Sequence, residues 1–234
     1  ILLKCCHLTA SRNYLPHIAM DISLDKYSIS ELENNISSKK ICLIANGESI
    51  LNYKLGEIID QFPNVGRINN YSLDGFKKNI GSKTDIWFNG ANQNLKKRNK
   101  TPAHIVVLIP ASILKEKGHN IHIRVERRLG ISKSDYEMPS YSDMERYEKL
   151  CGVIRPTTGT SSIIWALENF QEIFIHGFDF FISSKAHYND TAIVSWLIQK
   201  GIMKKGHKHD MGAEKNYIES LIQSGNIRQL TELL

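Results

Sequence analysis

The sequence predicts an α/β fold: one Rossmann-like domain with a mostly parallel sheet and helices on both faces. Three observations predict it. Short apolar runs alternate with amphipathic stretches along the chain. Most of those runs are apolar on successive positions, the pattern of strands buried on both faces. The stretches between them are long enough for helical crossovers, which parallel pairing requires. A chain of 234 residues with 41% apolar content can also bury one substantial core.

The first 39 residues differ from the rest, with a Ser- and Asn-rich stretch from Ser28 to Ser38 and no clear long strand. They read as an N-terminal arm ahead of a domain spanning 40–234. Strands are predicted at Lys40 to Ala45, Val65 to Asn69, Asp85 to Phe88, His104 to Ile109, Ile121 to Val125 and Glu172 to His176. Helices are predicted at Ile50 to Gln61, Tyr141 to Leu150, Thr160 to Phe170, Thr191 to Lys200 and Ala213 to Gln223. Ser132 to Tyr141 lacks periodicity and reads as a surface loop. Ser183 to Asp190 links a strand to a helix at the edge of the sheet where ligands bind, which makes it a candidate lid.

Thirty basic and twenty-four acidic residues give a net charge of +6 and a pI near 9.0. That balance favours an anionic partner without choosing among nucleic acid, an anionic membrane surface and a phosphorylated substrate. The densest basic runs, at Lys96-Lys97-Arg98 and Lys204-Lys205, lack the aromatic interleaving of a nucleic-acid platform. No apolar run reaches the ~18 residues of a membrane span. Cys5 and Cys6 are adjacent, and Cys42 and Cys151 sit alone in apolar surroundings, which is no disulfide framework. A reducing cytoplasm is therefore expected, with peripheral contact to an anionic inner membrane left open.

Three segments could hold an anion. Asn46-Gly47-Glu48-Ser49 follows an apolar strand and precedes a helix, so backbone N–H groups and a small polar cluster meet at a helix start. The same pattern also fits an ordinary tight turn. It has neither the three glycines of a dinucleotide fingerprint nor the Gly-Lys-Ser/Thr of a P-loop, which disfavours NAD and ATP. Asn69 ends the second strand, where its amide could meet a ribose or phosphate or simply shape a turn. Thr157, Thr158 and Gly159 open a third helix, with hydroxyls, a close-approach glycine and the positive end of the dipole, although a plain helix start would look alike.

The order of these elements resembles glycosyltransferase family 29, the eukaryotic-type sialyltransferases. The family's long motif matches Asn46, Arg67-Ile68-Asn69 and Gly81-Ser82-Lys83-Thr84. Its short motif matches Arg155 to Gly159, then Gly177-Phe178. Its two terminal motifs match His187-Tyr188 and His209 to Glu214. The resemblance implies the sialyltransferase variant of the GT-A fold and an inverting, metal-independent transfer of an acidic sugar from its cytidine monophosphate (CMP) conjugate. No cofactor is expected, since the CMP-sugar is a substrate. His209 is then the general base and His187 the contact to the leaving phosphate, and a histidine near its ordinary pKa of about 6.5 suits either task. The donor cradle would be Asn46, Gly47, Ser49, Asn69, Thr157, Thr158 and Gly159, with Glu214 and Asp179 in support.

Other readings stay beside this one. Gly177-Phe178-Asp179 after a Thr-Gly helix start also resembles the family 42 bacterial sialyltransferases, which share the donor. CMP-linked Kdo, legionaminic acid and pseudaminic acid remain open as donors. In the animal enzymes the strand cysteine matching Cys42 is bridged, whereas the partner position here is Phe170, which fits a bacterial cytoplasmic relative working on capsule or lipooligosaccharide. His207 with His209, or His119 with His122, could be metal pairs, but Lys208 opposes a cation and no Asp-x-Asp occurs anywhere in the chain. Asp179 could meet a sugar hydroxyl or cap a loop. Trp87 and Trp165 read as core. An oligosaccharide or glycolipid acceptor is the expected partner, and a non-catalytic basic module binding nucleic acid or membrane is the rival from another class.

Overall fold

The structure, a computed structural model, describes residues 39–179, 187–190 and 210–234. The predicted helix at Thr191 to Lys200, residues 183–186 of the candidate lid, and all but the last residue of the N-terminal arm lie outside the described residues, as does His209. The described strands are β1 (Lys40–Ile44), β2 (Asn64–Ile68), β3 (Ile86–Asn89), β4 (His104–Val107), β5 (Glu172–His176) and the two-residue β6 (Arg228–Gln229). They form one sheet in the order β4-β3-β2-β1-β5-β6, with every neighbouring pair parallel.

The described helices are α1 (Gly56–Asp60), α2 (Lys77–Ile80), α3 (Ala111–Lys117), α4 (Ile121–Leu129), α5 (Tyr141–Cys151), α6 (Thr158–Asn169) and α7 (Met211–Gln223). They cover both faces. Successive β1 residues point to opposite sides, so Ile41 and Leu43 join a core with α5 and α6, whereas Cys42 and Ile44 join a second core with α1 and α2. Burial on both faces is why β1, β2 and β5 read as continuous apolar runs. Trp87 and Trp165 are both core residues.

One predicted strand is a helix. Ile121 to Val125 begins α4, in which Ile121, Val125 and Leu129 are buried at the spacing of one helix face while Ile123 is 63% exposed. Alternation over five residues satisfies both periods, and the charged residues that follow continue the helical one. The predicted helix at Ile50 to Gln61 is two pieces, a 3-10 turn at Glu48–Asn52 and α1, with an extended break at Tyr53. The loop from Ser132 to Tyr141 is largely irregular, but Glu137 pairs with Val106 and lengthens the sheet edge.

Two crossings of the chain define where a ligand can sit. From β1 the chain steps outward through β2, β3 and β4, then returns to lay β5 on the opposite side of β1. That reversal opens a crevice beyond the C-terminal ends of β1 and β5, the general location of ligand sites in open parallel sheets.

Candidate functional site

The parallel ladder continues past the strands at this edge. The Ala45 N–H donates to His176 O and the Gly47 N–H to Gly177 O, both at 2.9 Å. Gly177 has φ +74°, and a Cβ there would lie 2.5 Å from Ile50 Cγ2, so only glycine turns the chain here. Asp179 then folds back over Gly47. Its carboxylate would meet a Gly47 Cβ at 2.3 Å, accepts from the Ser49 N–H at 2.9 Å and takes a short hydrogen bond from the Ser49 hydroxyl. Asp179 is thus the cap of the 3-10 turn, one of the two roles its sequence position allowed.

Both donors of Ser49, its N–H and its hydroxyl, go to Asp179, so Ser49 holds the turn. Asn46 is different. Its Nδ2 donates to Ile68 O at 2.9 Å, which ties the tip of β1 to β2, while its Oδ1 is buried without a partner. An unpaired buried acceptor costs on the order of 1–3 kcal/mol unless something donates to it.

Asn69 ends β2 with φ +50°, a conformation asparagine tolerates better than most residues. Its Oδ1 accepts from the Gly90 N–H at 3.2 Å and its backbone carbonyl from Trp87 Nε1 at 2.9 Å, leaving its Nδ2 without a partner among the described residues. Asn70, which the sequence analysis did not single out, is a hub. Its amide pins the segment after β3 through Asn94 O and the Lys96 N–H, and its carbonyl accepts from Asn189 Nδ2 at 2.6 Å.

The His187–Asp190 turn is seated from three sides. The His187 Nδ1–H donates to Asn46 O at 3.2 Å, the Tyr188 N–H donates to the same carbonyl at 3.1 Å, and His187 bridges to Gly47 as an antiparallel pair. That bond sets the tautomer, with the proton on Nδ1. Tyr188 is buried, its hydroxyl accepts from the Ser72 N–H and donates to Ser72 O, and its ring meets Phe76 edge-on at 4.8 Å. Tyr188 therefore anchors the histidine beside it.

The third wall is the start of α6. Thr157 is its N-cap, accepting from the Thr160 N–H at 3.2 Å. Glu214, fully buried on α7, accepts from the Thr157 N–H and hydroxyl and from the Thr160 hydroxyl. Glu214 thus clamps the start of α6, and the Thr157 N–H and hydroxyl are both engaged in that clamp. The N–H groups of Thr158 and Gly159 have no partner among the described residues, so the positive end of α6 stays open. Phe178 packs on Gly159, 3.3 Å from where its Cβ would be, and Thr158 Oγ1 lies 3.0 Å from a Gly90 Cβ. The helix start is thereby set beside the tips of β3 and β5.

Other buried polar groups lie along this edge. Asn89 is fully buried with Nδ2 unpaired, and its Oδ1 accepts from the Ala91 N–H, holding Ala91 at φ +44°. The signal for it was available: Phe88-Asn89-Gly90 repeats the apolar-strand-Asn-Gly pattern of Ala45-Asn46-Gly47. His176 at the end of β5 is 6% exposed, and burial pushes its pKa down to about 4 against the opposing pull of Asp179.

The second half of the long motif lies elsewhere. Gly81 to Thr84 precede β3, at the N-terminal edge, opposite the crevice. Arg67 is wholly buried and reaches them with bonds to Ile80 O at 2.6 Å, Lys83 O at 3.0 Å and Thr84 Oγ1 at 2.9 Å. Asp60 accepts from the N–H groups of Ser82 and Lys83, and burial that opposes its ionisation is outweighed by those bonds, which hold its carboxyl below the usual range. This is scaffold. Cys42 and Cys151 are free, buried thiols, and burial pushes the pKa of both up.

The chain matches the sequence profile of glycosyltransferase family 29 (sialyltransferase) over residues 8–123 and 134–226. It belongs to that family. The human and chimpanzee CMP-N-acetylneuraminate-β-1,4-galactoside α-2,3-sialyltransferases are each 22% identical over 88% of this chain. The chain spans only 61% of the length of those curated relatives. A β-1,6-galactosyltransferase of Arabidopsis thaliana is 36% identical over 88 residues, 35% of this chain and 22% of that one. The crystal structure of a mammalian sialyltransferase superposes with a TM-score of 0.61 at 18% identity, covering 85% of this chain and 71% of that one. A second, in complex with Gal-β-1-3GalNAc-ortho-nitrophenol, superposes equally. The fold is therefore that of the sialyltransferases. Among the described residues no helix is long and apolar enough to cross a membrane.

Proposed function

We propose that the chain transfers a sialic acid from its CMP conjugate to a hydroxyl of a glycan acceptor, with inversion and without a divalent metal. The observation that supports this best is the meeting, at one edge, of an open helix start at Thr158 and Gly159 with a histidine turn seated on Asn46. The open N–H groups suit a phosphate. Asn46 Oδ1 and Asn69 Nδ2 offer one acceptor and one donor for the nucleoside, and Gly47 lets Asp179 close over the turn that carries Asn46. Ser49 and Thr157 act by holding the walls through Asp179 and Glu214.

In this reading His209 removes the acceptor proton as the new bond forms at the anomeric carbon and the bond to phosphate breaks. His187, its Nδ1–H held by Asn46 O, acts as the doubly protonated imidazolium and donates from Nε2 to the departing phosphate, neutralising charge that develops in the transition state. The acceptor is a surface glycan of the capsule or lipooligosaccharide type, met in the cytoplasm. The match to a plant galactosyltransferase carries a second reading, transfer of galactose from its nucleotide conjugate. Nothing in the acid-base pairing separates the two, so the donor must be measured.

The test is transfer and hydrolysis with a panel of CMP-sialic acid, CMP-Kdo, CMP-legionaminic acid, CMP-pseudaminic acid and UDP-galactose, in excess chelator. The reading expects turnover with a CMP donor, lost by more than a hundredfold in His209→Ala while CMP affinity stays within about twofold. Turnover with UDP-galactose alone would favour the second reading. Salt-sensitive polyanion binding without any turnover, unchanged in His209→Ala, would leave only a basic binding module.

A further inference from the structure

Several basic residues of the described surface, among them Lys40, Arg146, Lys149, Lys215 and Arg228, lie within 3.4 Å of a carboxylate. Arg124, Arg127 and Arg128 form no ion pair among the described residues, a state they share with a number of surface lysines, Lys97 included, and what sets them apart is that they are gathered on one helix. The three arginines occupy positions i, i+3 and i+4 of α4 and therefore share one side of it. Arg127 and Arg128 fall in the last turn, where the helix dipole favours cations, but Arg124 sits mid-helix and gains nothing from it. Its Nε is buried without a hydrogen-bond partner.

The cluster sits beside the proposed donor site. Arg128 Nη1 donates to Ala91 O at 2.5 Å, directly after Gly90, against which Thr158 of the α6 start is packed. Lys97 lies 3.6 Å from where a Gly130 Cβ would be, at the C-terminal cap of the same helix. Arg128 registers the gathering of like charges, since burial first and then Arg124 and Arg127 lower its pKa. The family match stops at residue 123 and resumes at 134, so Arg124, Arg127 and Arg128 lie between the two matched segments.

We propose that Arg124, Arg127 and Lys97 form an acceptor-side subsite for an anionic group, a phosphate or carboxylate that the acceptor glycan carries beyond its reacting hydroxyl. The inference rests on the transferase reading for the word acceptor. The cluster reaches the site through Ala91 at the tip of β3 rather than through Asn46 or the His187 turn, and on this proposal an anion held by Arg124 and Arg127 is distinct from the donor phosphate. Arg128 positions the loop after β3 through Ala91 and is left out of the test for that reason.

The test is calorimetric binding of lactose and of lactose 1-phosphate to the wild-type chain and to Arg124→Glu/Arg127→Glu, with CMP titrated in parallel. The phosphate is expected to tighten wild-type binding about tenfold, an advantage lost in the double variant and in high salt, with CMP affinity unchanged. The milder Arg124→Gln/Arg127→Gln variant should lose most of the same advantage, which guards against a folding defect. Equal affinity for the two sugars, or an advantage that survives both variants, overturns the subsite. So does variant-sensitive pelleting with phosphatidylglycerol vesicles without any preference for lactose 1-phosphate, which would assign the cluster to a lipid headgroup. Failure of CMP to bind would sink the transferase reading, while the sugar titration still decides whether the cluster takes an anionic glycan.

Discussion

The two edges of the sheet carry similar residues in opposite states. At the N-terminal edge, Arg67, Asp60, Gly81, Ser82, Lys83 and Thr84 bond to one another so fully that, of the arginine's three nitrogens, only Nη1 lacks a partner. At the C-terminal edge, Asn46 Oδ1, Asn69 Nδ2 and the N–H groups of Thr158 and Gly159 are left without partners among the described residues. Both edges offer glycine, hydroxyls and amides. What separates scaffold from candidate site is whether those groups are already paired, a property that motif composition does not encode.

The largest effect should come from breaking the paired edge. Arg67→Met removes bonds to three oxygens and orphans buried carbonyls, so about 3–5 kcal/mol of stability is expected to be lost in chemical denaturation. CMP affinity of the remaining folded protein should be unchanged, and a large CMP defect without destabilisation would break the division drawn between the edges. Glu214→Ala sharpens it from the other side. The clamp on Thr157 and Thr160 serves both fold and helix start, so about 2–4 kcal/mol of stability and roughly tenfold in CMP affinity should fall together. A stability loss alone would show that α6 keeps its place without the clamp.

Acid should act through His176. Its folded pKa of about 4 lies below the ordinary value of 6.5, so the unfolded chain takes up the proton first as pH falls. Stability from this group is complete above about pH 6.5 and is lost progressively down to about pH 4, on the order of 3 kcal/mol in all. His176→Gln should flatten that part of the stability profile, and an unchanged slope would mean that burial of the ring is not its source. The smallest effect is local. Asn46→Ala removes one strand-tip bond, about 1 kcal/mol, and the unpaired acceptor, and should weaken CMP about tenfold.

Much of the fold was legible because strands buried on both faces announce themselves as apolar runs, as at Ile41 to Ile44 and Ile173 to Ile175. Ile121 to Val125 misled because five alternating residues fit two periods, and only the exposed Ile123 followed by Glu126, Arg127 and Arg128 resolves them as helix. β6 was illegible, since two exposed residues, Arg228 and Gln229, carry no pattern of their own and pair only because Phe174 and Ile175 are there. At the site, sequence named Asn46, Asn69 and the α6 start, but it could not tell that Ser49 and Thr157 spend their donors on Asp179 and Glu214. Those partners lie 130 and 57 residues away in the chain. Asn89 repeated a pattern already recognised at Asn46, and Tyr188 stood beside a named histidine, so both were within reach.

Whether the unpaired edge is a CMP site is decided by calorimetric titration of CMP into the wild-type chain in excess chelator. Saturable one-to-one binding is expected, with an accompanying rise in thermal stability, weakened by Asn46→Ala and untouched by Lys83→Ala at the paired edge. Absence of binding at millimolar CMP, or equal weakening by the two substitutions, would contradict a CMP site at this edge.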